Sequence, residues 1–342
     1  MINNSLNKIK VLIIDDSAMV RKVFTQVLSN ESDIEVVGTA PDPVIGRDKI
    51  VFLKPDVIIL DIEMPKMDGL TFLKKLMKHY PMPVIIVSSI AADKSKAALD
   101  AFEYGAMEVL KKPGSSFSVK DMGEQLVEKV RAVYRSKKIN RNGVRTSRQI
   151  ENREIISNKI VVIGASTGGT EALKKLLMDL PENIPPILIV QHMPESFTAA
   201  FAERLNSLCK FEVREAKHND EVRKNLVLIA PGNYHMVLKK KLRYYVEIKD
   251  GPLIHHQRPA VDVLFKSAAM CAGKDSVAVI LTGMGKDGAE GLLELKNSGA
   301  YTITQDEASS VVYGMPKEAY LIGASMDVQP LDHIAEEIMK KV

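Results

Sequence analysis

Cysteine is scarce in this chain: Cys209 and Cys271 are the only two among 342 residues. They form no C-x-x-C pair, so neither a disulfide framework nor a thiolate metal site is expected, and a reducing cytoplasm is the setting indicated. Neither thiol lies in a glycine-rich turn after a strand, which argues against a cysteine nucleophile. Long apolar runs are also missing. No stretch approaches the ~18 residues of a membrane span, and the first ten residues are polar, without the core of a signal peptide. No direct membrane insertion is therefore expected. The excess of one charge is small, +4 at pH 7, and gives no general nucleic-acid signature. What remains is the balance of a folded protein, 46% hydrophobic and 26% charged, with length enough for two domains.

Residues 10 to about 135 alternate short β-branched runs with amphipathic stretches. Strands are expected at Val11–Ile14, Ile34–Gly38, Val57–Leu60, Val84–Val87 and Met107–Leu110, and helices near 18–29, 43–53, 70–79, 93–104 and 120–135. That alternation predicts a doubly wound, five-stranded parallel sheet with helices on both faces. From Arg131 to Lys159 there are nine Lys/Arg against two Glu, and apolar periodicity fades. Residues 136–157 read as a basic flexible linker rather than a nucleic-acid or lipid site. A second α/β region, 158–342, follows. Its strands are expected at 160–163, 187–190, 226–229, 235–238, 243–248, 277–281 and 301–303, and its helices near 170–178, 197–207, 260–271, 287–297 and 332–341. It is expected to be doubly wound and mainly parallel.

Asp15 and Asp16 end the first predicted strand and Asp61 ends the third. Ser88 follows the fourth, and Lys112 the fifth. All five fall at the carboxyl edge of one sheet, where open α/β sheets bind ligands. Three carboxylates gathered there repel one another unless a hard divalent cation joins them, and Mg²⁺ fits. An aspartate beside that ion can attack a phosphoryl donor while metal and ammonium neutralise the developing charge. The pattern resembles the receiver domain of two-component response regulators over residues 8–135. The resemblance implies that Asp61 is the phosphorylation site and that Asp15 and Asp16 hold Mg²⁺ with Asp61 and the backbone carbonyl of Glu63. It further implies that Ser88 and Lys112 contact the phosphoryl group. One position departs from that pattern: Val109 stands where many receivers carry an aromatic switch residue.

Ser166 lies in Gly164-Ala165-Ser166-Thr167-Gly168-Gly169, directly after the apolar run Ile160–Ile163. Gly164, Ser166 and Gly168 match the G-x-S-x-G nucleophile elbow in its strand–turn–helix context. Backbone N–H groups at the helix start are expected to bind a developing negative charge. A dinucleotide-binding turn competes for this motif; a P-loop does not, since no Gly-Lys-Ser/Thr follows. His192 ends the strand Ile187–Val190 at the same predicted edge and is the candidate general base. Asp287, after the strand Val277–Leu281, is the candidate third member, against the alternative that it caps the following helix. Asp262 is the rival carboxylate, placed early in a helix rather than at a strand end. His255 and His256 sit in a polar loop, where a metal role lacks ligands at suitable spacing.

The stretches Gly164–Gly169, Gln191–Pro194 and Leu281–Ala289 resemble the catalytic domain of the chemotaxis protein-glutamate methylesterases, the CheB family. Ala230–His235 and Arg258–Asp262 are similar to it as well. That resemblance implies a triad of Ser166, His192 and Asp287, with Thr167 and the backbone of Met284 holding the oxyanion. It implies hydrolysis of glutamate γ-methyl esters on chemoreceptors, releasing methanol, and deamidation of certain receptor glutamines, without a cofactor for the esterase reaction. A chemotaxis histidine kinase is the implied phosphodonor. A tethered receiver packed over the Ser166 cleft, released on phosphorylation of Asp61, is the expected switch. The competing classes are a DNA-binding response regulator, a catalytically dead scaffold and a nucleotide-dependent oxidoreductase.

Overall fold

Strands β1 (Ile9–Ile14), β3 (Val57–Asp61) and β4 (Val84–Ser88) are buried almost end to end, as parallel strands covered on both faces must be. Together with β2 (Ile34–Ala40) and β5 (Glu108–Lys111) they form one parallel sheet in the order β2-β1-β3-β4-β5. The computed structural model describes residues 8–65, 67–88, 99–112, 119–136, 150, 152, 154–155, 158–195 and 197–342. The chain divides into two compact units, Met1–Lys138 and Ile139–Val342.

In the first unit the helix starts are set by short polar side chains. Ser17 accepts from the N–H of Val20 at the head of α1 (Ala18–Ser29). Asp42 caps α2 (Pro43–Leu53) through the N–H groups of Val44 and Ile45, with Pro43 in the first turn. Asp68 caps α3 (Gly69–His79). Helix α4 spans Val119–Ser136. The first half of the helix expected near 93–104, and most of the linker expected at 136–157, lie outside the described residues. The strand order turns back at β1 and β3, which places Asp15, Asp16 and Asp61 at a topological switch point.

The second unit is built on a seven-stranded sheet in the order β14-β13-β12-β6-β7-β9-β8, and every pairing in it is parallel. Its strands are β6 (Ile160–Ala165), β7 (Ile187–Gln191), β8 (Glu212–Glu215), β9 (Leu226–Ile229), β12 (Ser276–Ile280), β13 (Tyr301–Gln305) and β14 (Asp327–Gln329). The expected strands near 235 and 243 form a separate antiparallel pair, β10 (His235–Lys240) with β11 (Tyr244–Lys249). Helices α5 (Gly169–Asp179), α6 (Phe197–Leu208), α7 (Val261–Cys271), α8 (Ala289–Asn297), α9 (Met315–Leu321) and α10 (Leu331–Lys341) complete it. Val162, Leu188, Val190 and Leu228 from the sheet pack with Leu264, Phe265 and Leu292 from α7 and α8 into one buried cluster.

Two strands and one helix were not legible in the sequence: β8, β14 and α9. The two strands are short edge segments with half-exposed patterns, so they lack the apolar run that marks the central strands. From β6 the chain moves to β7 on one side, while β12 lies on the other. The ends of β6 and β12 therefore form a second switch point, and Ser166 comes directly after the first of them.

Candidate functional site

In the first unit Asp15 and Asp61 are buried and Asp16 is exposed. Lys112 faces both buried carboxylates, with Nζ 2.6 Å from Asp61 Oδ2 and 3.3 Å from Asp15 Oδ2. The other Asp61 oxygen, Oδ1, accepts from the N–H of Glu63 at 2.9 Å, and Asp15 Oδ1 accepts from the N–H of Ser17 at 2.8 Å. Burial dominates the Asp61 carboxyl. It outweighs the hydrogen bonds from Lys112 and Glu63, and the charge of Asp15 adds to it, so the group is pushed up to about 6. Asp15 is raised for the same reason, despite Lys112. Carboxylate oxygens of Asp15, Asp16 and Asp61 lie within 4.8 Å of one another. Three carboxylates against one ammonium leave a negative all-oxygen cluster, a donor set that fits a hard divalent cation. Ser88 is fully buried, and its carbonyl accepts from the N–H of Lys112 at 2.9 Å. Val109 is buried in β5, opposite Ile86.

In the second unit the turn after β6 carries Ser166, the strand end after β7 carries His192, and the loop after β12 carries Asp287. The backbone ties the three segments together. The N–H of Ser166 donates to Thr282 O at 3.0 Å, and the N–H of His192 donates to Ala165 O at 3.1 Å. Gly168 takes φ +77°, a left-handed conformation that lets the chain turn from strand into helix. Gly283 lies against Ser166: a Cβ there would come 2.7 Å from Ser166 Cβ.

His192 Nε2 lies 2.8 Å from Asp287 Oδ2, and both side chains are buried. With the proton on Nε2, Nδ1 is left as an acceptor. It is buried and takes no hydrogen bond among the described residues. No bond to Ser166 is formed, a loose state that free enzymes often adopt before substrate binds.

Asp287 does not cap its own helix. The N-cap of α8 is Gly288, with no side-chain bond. Asp287 instead accepts from Val261 N at 2.7 Å and Asp262 N at 3.0 Å, at the head of α7. Burial pulls its carboxyl up, but the bond and charge of His192 and the two N–H groups prevail, and the group is lowered. Asp262, the rival, is also buried. It bonds Gly291 N at 2.7 Å and His255 Nε2 at 3.1 Å rather than His192. Burial raises it, with the nearby charge of Asp287 acting in the same direction. The structure thus supplies the carboxylates that His255 lacks in sequence, with ligand atoms of His255, Asp262 and Asp287 within 4.8 Å of one another. Hydrogen bonds to backbone N–H groups and to the histidines already occupy these carboxylates.

The expected row of free N–H groups at the start of α5 is smaller than its sequence suggests. Ser166 N is engaged by Thr282 O, and Gly169 N donates to Ser166 O at 2.7 Å. Among the described residues nothing accepts from the N–H of Thr167 or of Met284, so both can donate to an incoming anionic oxygen. Thr282 and Gln305 support them and carry no sequence signal. Thr282 Oγ1 donates to Thr167 O at 2.9 Å and accepts from Val312 N at 2.9 Å. Gln305 Oε1 accepts from Thr282 N at 2.7 Å. Neither cysteine competes as a nucleophile. Burial pushes the Cys209 thiol up to about 11, and Cys271 donates to Leu238 O.

Known proteins resemble this chain over both units. Residues 161–338 match the CheB methylesterase family and residues 11–122 match the response regulator receiver domain. A protein-glutamate methylesterase/protein-glutamine glutaminase of Syntrophus aciditrophicus is 59% identical over 98% of this chain and 100% of its own length. One from Bdellovibrio bacteriovorus is 48% identical over 98% of each chain. The catalytic domain of CheB methylesterase from Thermotoga maritima is 41% identical and superposes with a TM-score of 0.53, over 55% of this chain and all of that one. Taken with the buried His192–Asp287 pair beside the Ser166 turn, these likenesses show that the chain belongs to the CheB methylesterase family, with a receiver domain preceding the catalytic domain.

Proposed function

We propose that Ser166, His192 and Asp287 are the catalytic triad of a phosphorylation-activated protein-glutamate methylesterase and glutaminase acting on chemoreceptors. The observation that carries this is His192: Nε2 is held by buried Asp287 while buried Nδ1 has no partner among the described residues. Ser166 Oγ attacks the carbonyl carbon of a glutamate γ-methyl ester as Nδ1 takes its proton. Asp287 stabilises the resulting imidazolium. The N–H groups of Thr167 and Met284 receive the oxyanion. On collapse the C–O bond to the methoxy group breaks, and Nδ1–H protonates departing methanol. Water, deprotonated by His192, then cleaves the acyl-Ser166 ester to give glutamate. With a glutamine side chain the same steps release ammonia. The chain's own groups fill every role in the ester cleavage.

The receiver at 8–135, joined through a basic tether at 136–157 to the catalytic domain at 158–342, supplies control. Asp61 is the phospho-acceptor, and Lys112 and Ser88 contact its phosphoryl group. Charge on that group would be neutralised by Mg²⁺ held by Asp15, Asp16, Asp61 and the carbonyl of Glu63. The donor is a chemotaxis histidine kinase, and the protein acts in the cytoplasm on the cytoplasmic parts of receptors. No helix among the described residues is long and apolar enough to cross a membrane. The test is methanol release from a methylated chemoreceptor fragment, with and without Mg²⁺ and a small phosphodonor. Release is expected to vanish in Ser166→Ala and to lose only its phosphodonor response in Asp61→Asn. Release that survives Ser166→Ala would remove the triad.

A further inference from the structure

The side chain of Gln191, last residue of β7, is almost fully buried and has no role in the steps above. Its Nε2 donates to Ser166 O at 3.0 Å and to His192 O at 3.2 Å. Both acceptors are carbonyls, so only the NH₂ end of the amide can face them. Its Oε1 points toward Gly169, where a Cβ would collide with it, and has no hydrogen-bond partner among the described residues. A buried oxygen without a partner is costly. A leucine of similar size would fill this space without an unpaired oxygen of its own, but it would take the donor from the His192 carbonyl, so packing alone is a poor account of the glutamine.

The geometry points to Gln191 as a positioning residue that aims the Thr167 N–H at the oxyanion and locks the nucleophile turn to the strand end carrying the base. This rests on the proposed triad. A peptide group is planar and trans, so fixing the Ser166 carbonyl fixes the opposed N–H, which belongs to Thr167. Two donors hold that carbonyl, Gln191 Nε2 and Gly169 N. On the other side of the peptide, Thr282 Oγ1 holds the Thr167 carbonyl. Bonds to the carbonyl also polarise the peptide and strengthen its N–H as a donor. The second hydrogen of the same amide holds the His192 carbonyl, so nucleophile turn and base share one anchor.

The experiment compares full-length wild type, Gln191→Leu, Gln191→Glu and Ser166→Ala in methanol release from a methylated chemoreceptor fragment between pH 5 and 9, with melting temperatures for each. Gln191→Leu trades one unpaired buried oxygen for another and is expected to stay folded with a melting temperature near that of wild type, yet to lose kcat by ~10-fold or more at nearly unchanged KM. Gln191→Glu carries the same shape. Protonated, it donates one bond; ionised, it donates none and sets a charge against two carbonyls. Its deficit relative to wild type is therefore expected to widen as pH rises, while that of Gln191→Leu stays constant. Two results would overturn the inference while Ser166→Ala remains inactive: a folded Gln191→Leu within ~2-fold of wild-type kcat, or a Gln191→Glu deficit that is the same at every pH. Should Gln191→Leu fail to fold, the pH dependence of Gln191→Glu decides alone. Activity in Ser166→Ala would overturn the triad first, and the clamp with it.

Discussion

Asp287 binds the start of the helix that carries Asp262, and Asp262 binds the first turn of the helix that follows Asp287. The Asp287 carboxylate receives the N–H groups of Val261 and Asp262 at the head of α7, and the Asp262 carboxylate receives Gly291 N in the first turn of α8. The two acids look alike in sequence and in burial, but only Asp287 reaches His192. Asp287→Asn is therefore expected to lower kcat by ~10³–10⁴-fold, and Asp262→Asn by less than ~10-fold. Asparagine at 262 can keep the bond to Gly291 through its oxygen. Methanol-release kinetics of the two variants decide between them; equal losses would make the acids a joint unit.

The same pair predicts opposite pH behaviour. Asp287 lies below its ordinary range in the folded chain. Its stabilisation is present above the unfolded value and is lost as pH falls through the folded one. Asp262 is raised, so ionising it costs stability as pH rises above the ordinary carboxylate value. Asp262→Asn is expected to melt at or above the wild-type temperature at pH 7, and Asp287→Asn below it. Thermal melts at pH 4 and pH 7 test the ordering.

Asp61, raised to about 6, holds a proton through mildly acidic conditions. A protonated carboxyl neither attacks phosphorus nor binds a cation, so at limiting Mg²⁺ phosphodonor stimulation is expected to fade as pH drops below ~6. The raised value also means that ionisation of Asp61 destabilises the fold above that pH. Asp61→Asn is expected to gain on the order of 1–3 kcal/mol at pH 7, read from denaturant midpoints. A loss of stability would contradict the burial argument.

Chelation separates the two sites. The Asp15–Asp16–Asp61 cluster fits a cation donor set, whereas the proposed ester steps call on side chains and N–H groups. Excess EDTA is expected to abolish the phosphodonor response and to leave basal, Ser166-dependent release within ~2-fold. Loss of basal release under EDTA would place a metal in the esterase reaction.

Gly283 predicts a narrow steric limit. A Cβ added there meets Ser166 Cβ at 2.7 Å and Ser166 N at 3.1 Å. Gly283→Ala is expected to displace the nucleophile turn and to reduce kcat by ~10²-fold, with far-ultraviolet circular dichroism unchanged. Near-wild-type turnover would show that the turn yields without cost.

Ser166 and His192 were legible because each comes after a buried apolar run, and parallel strands deliver the residues beyond their carboxyl ends to one edge. The choice of Asp287 over Asp262 rested on the same logic, and the structure gives it a contact that no spacing rule contains. The duties of Gln191, Thr282 and Gln305 were not legible. Each depends on a side chain reaching across the strand ends to a neighbouring backbone, and the amino-acid string carries no trace of that reach. Asp287 as a cap was half right: it does hold a helix start, but of α7 rather than α8, through a contact distant in sequence. The edge strands β8 and β14 escaped because four and three residues carry too little period to register.

The placement of β12 between β6 and β13 bears on how the chain is made. β6 can pair with β7 soon after both leave the ribosome, but its other edge stays open until Ser276–Ile280 appears, ~110 residues later. Until then the nascent chain exposes Ile160–Ala165 as an unpaired apolar strand, the kind of edge that recruits foreign strands. Insertion of β12 closes that edge and delivers the segment leading to Asp287 in the same event. Closure of that edge of β6 and arrival of the Asp287 segment beside the Ser166 turn are thus one event, while the far edge of β12 waits for β13.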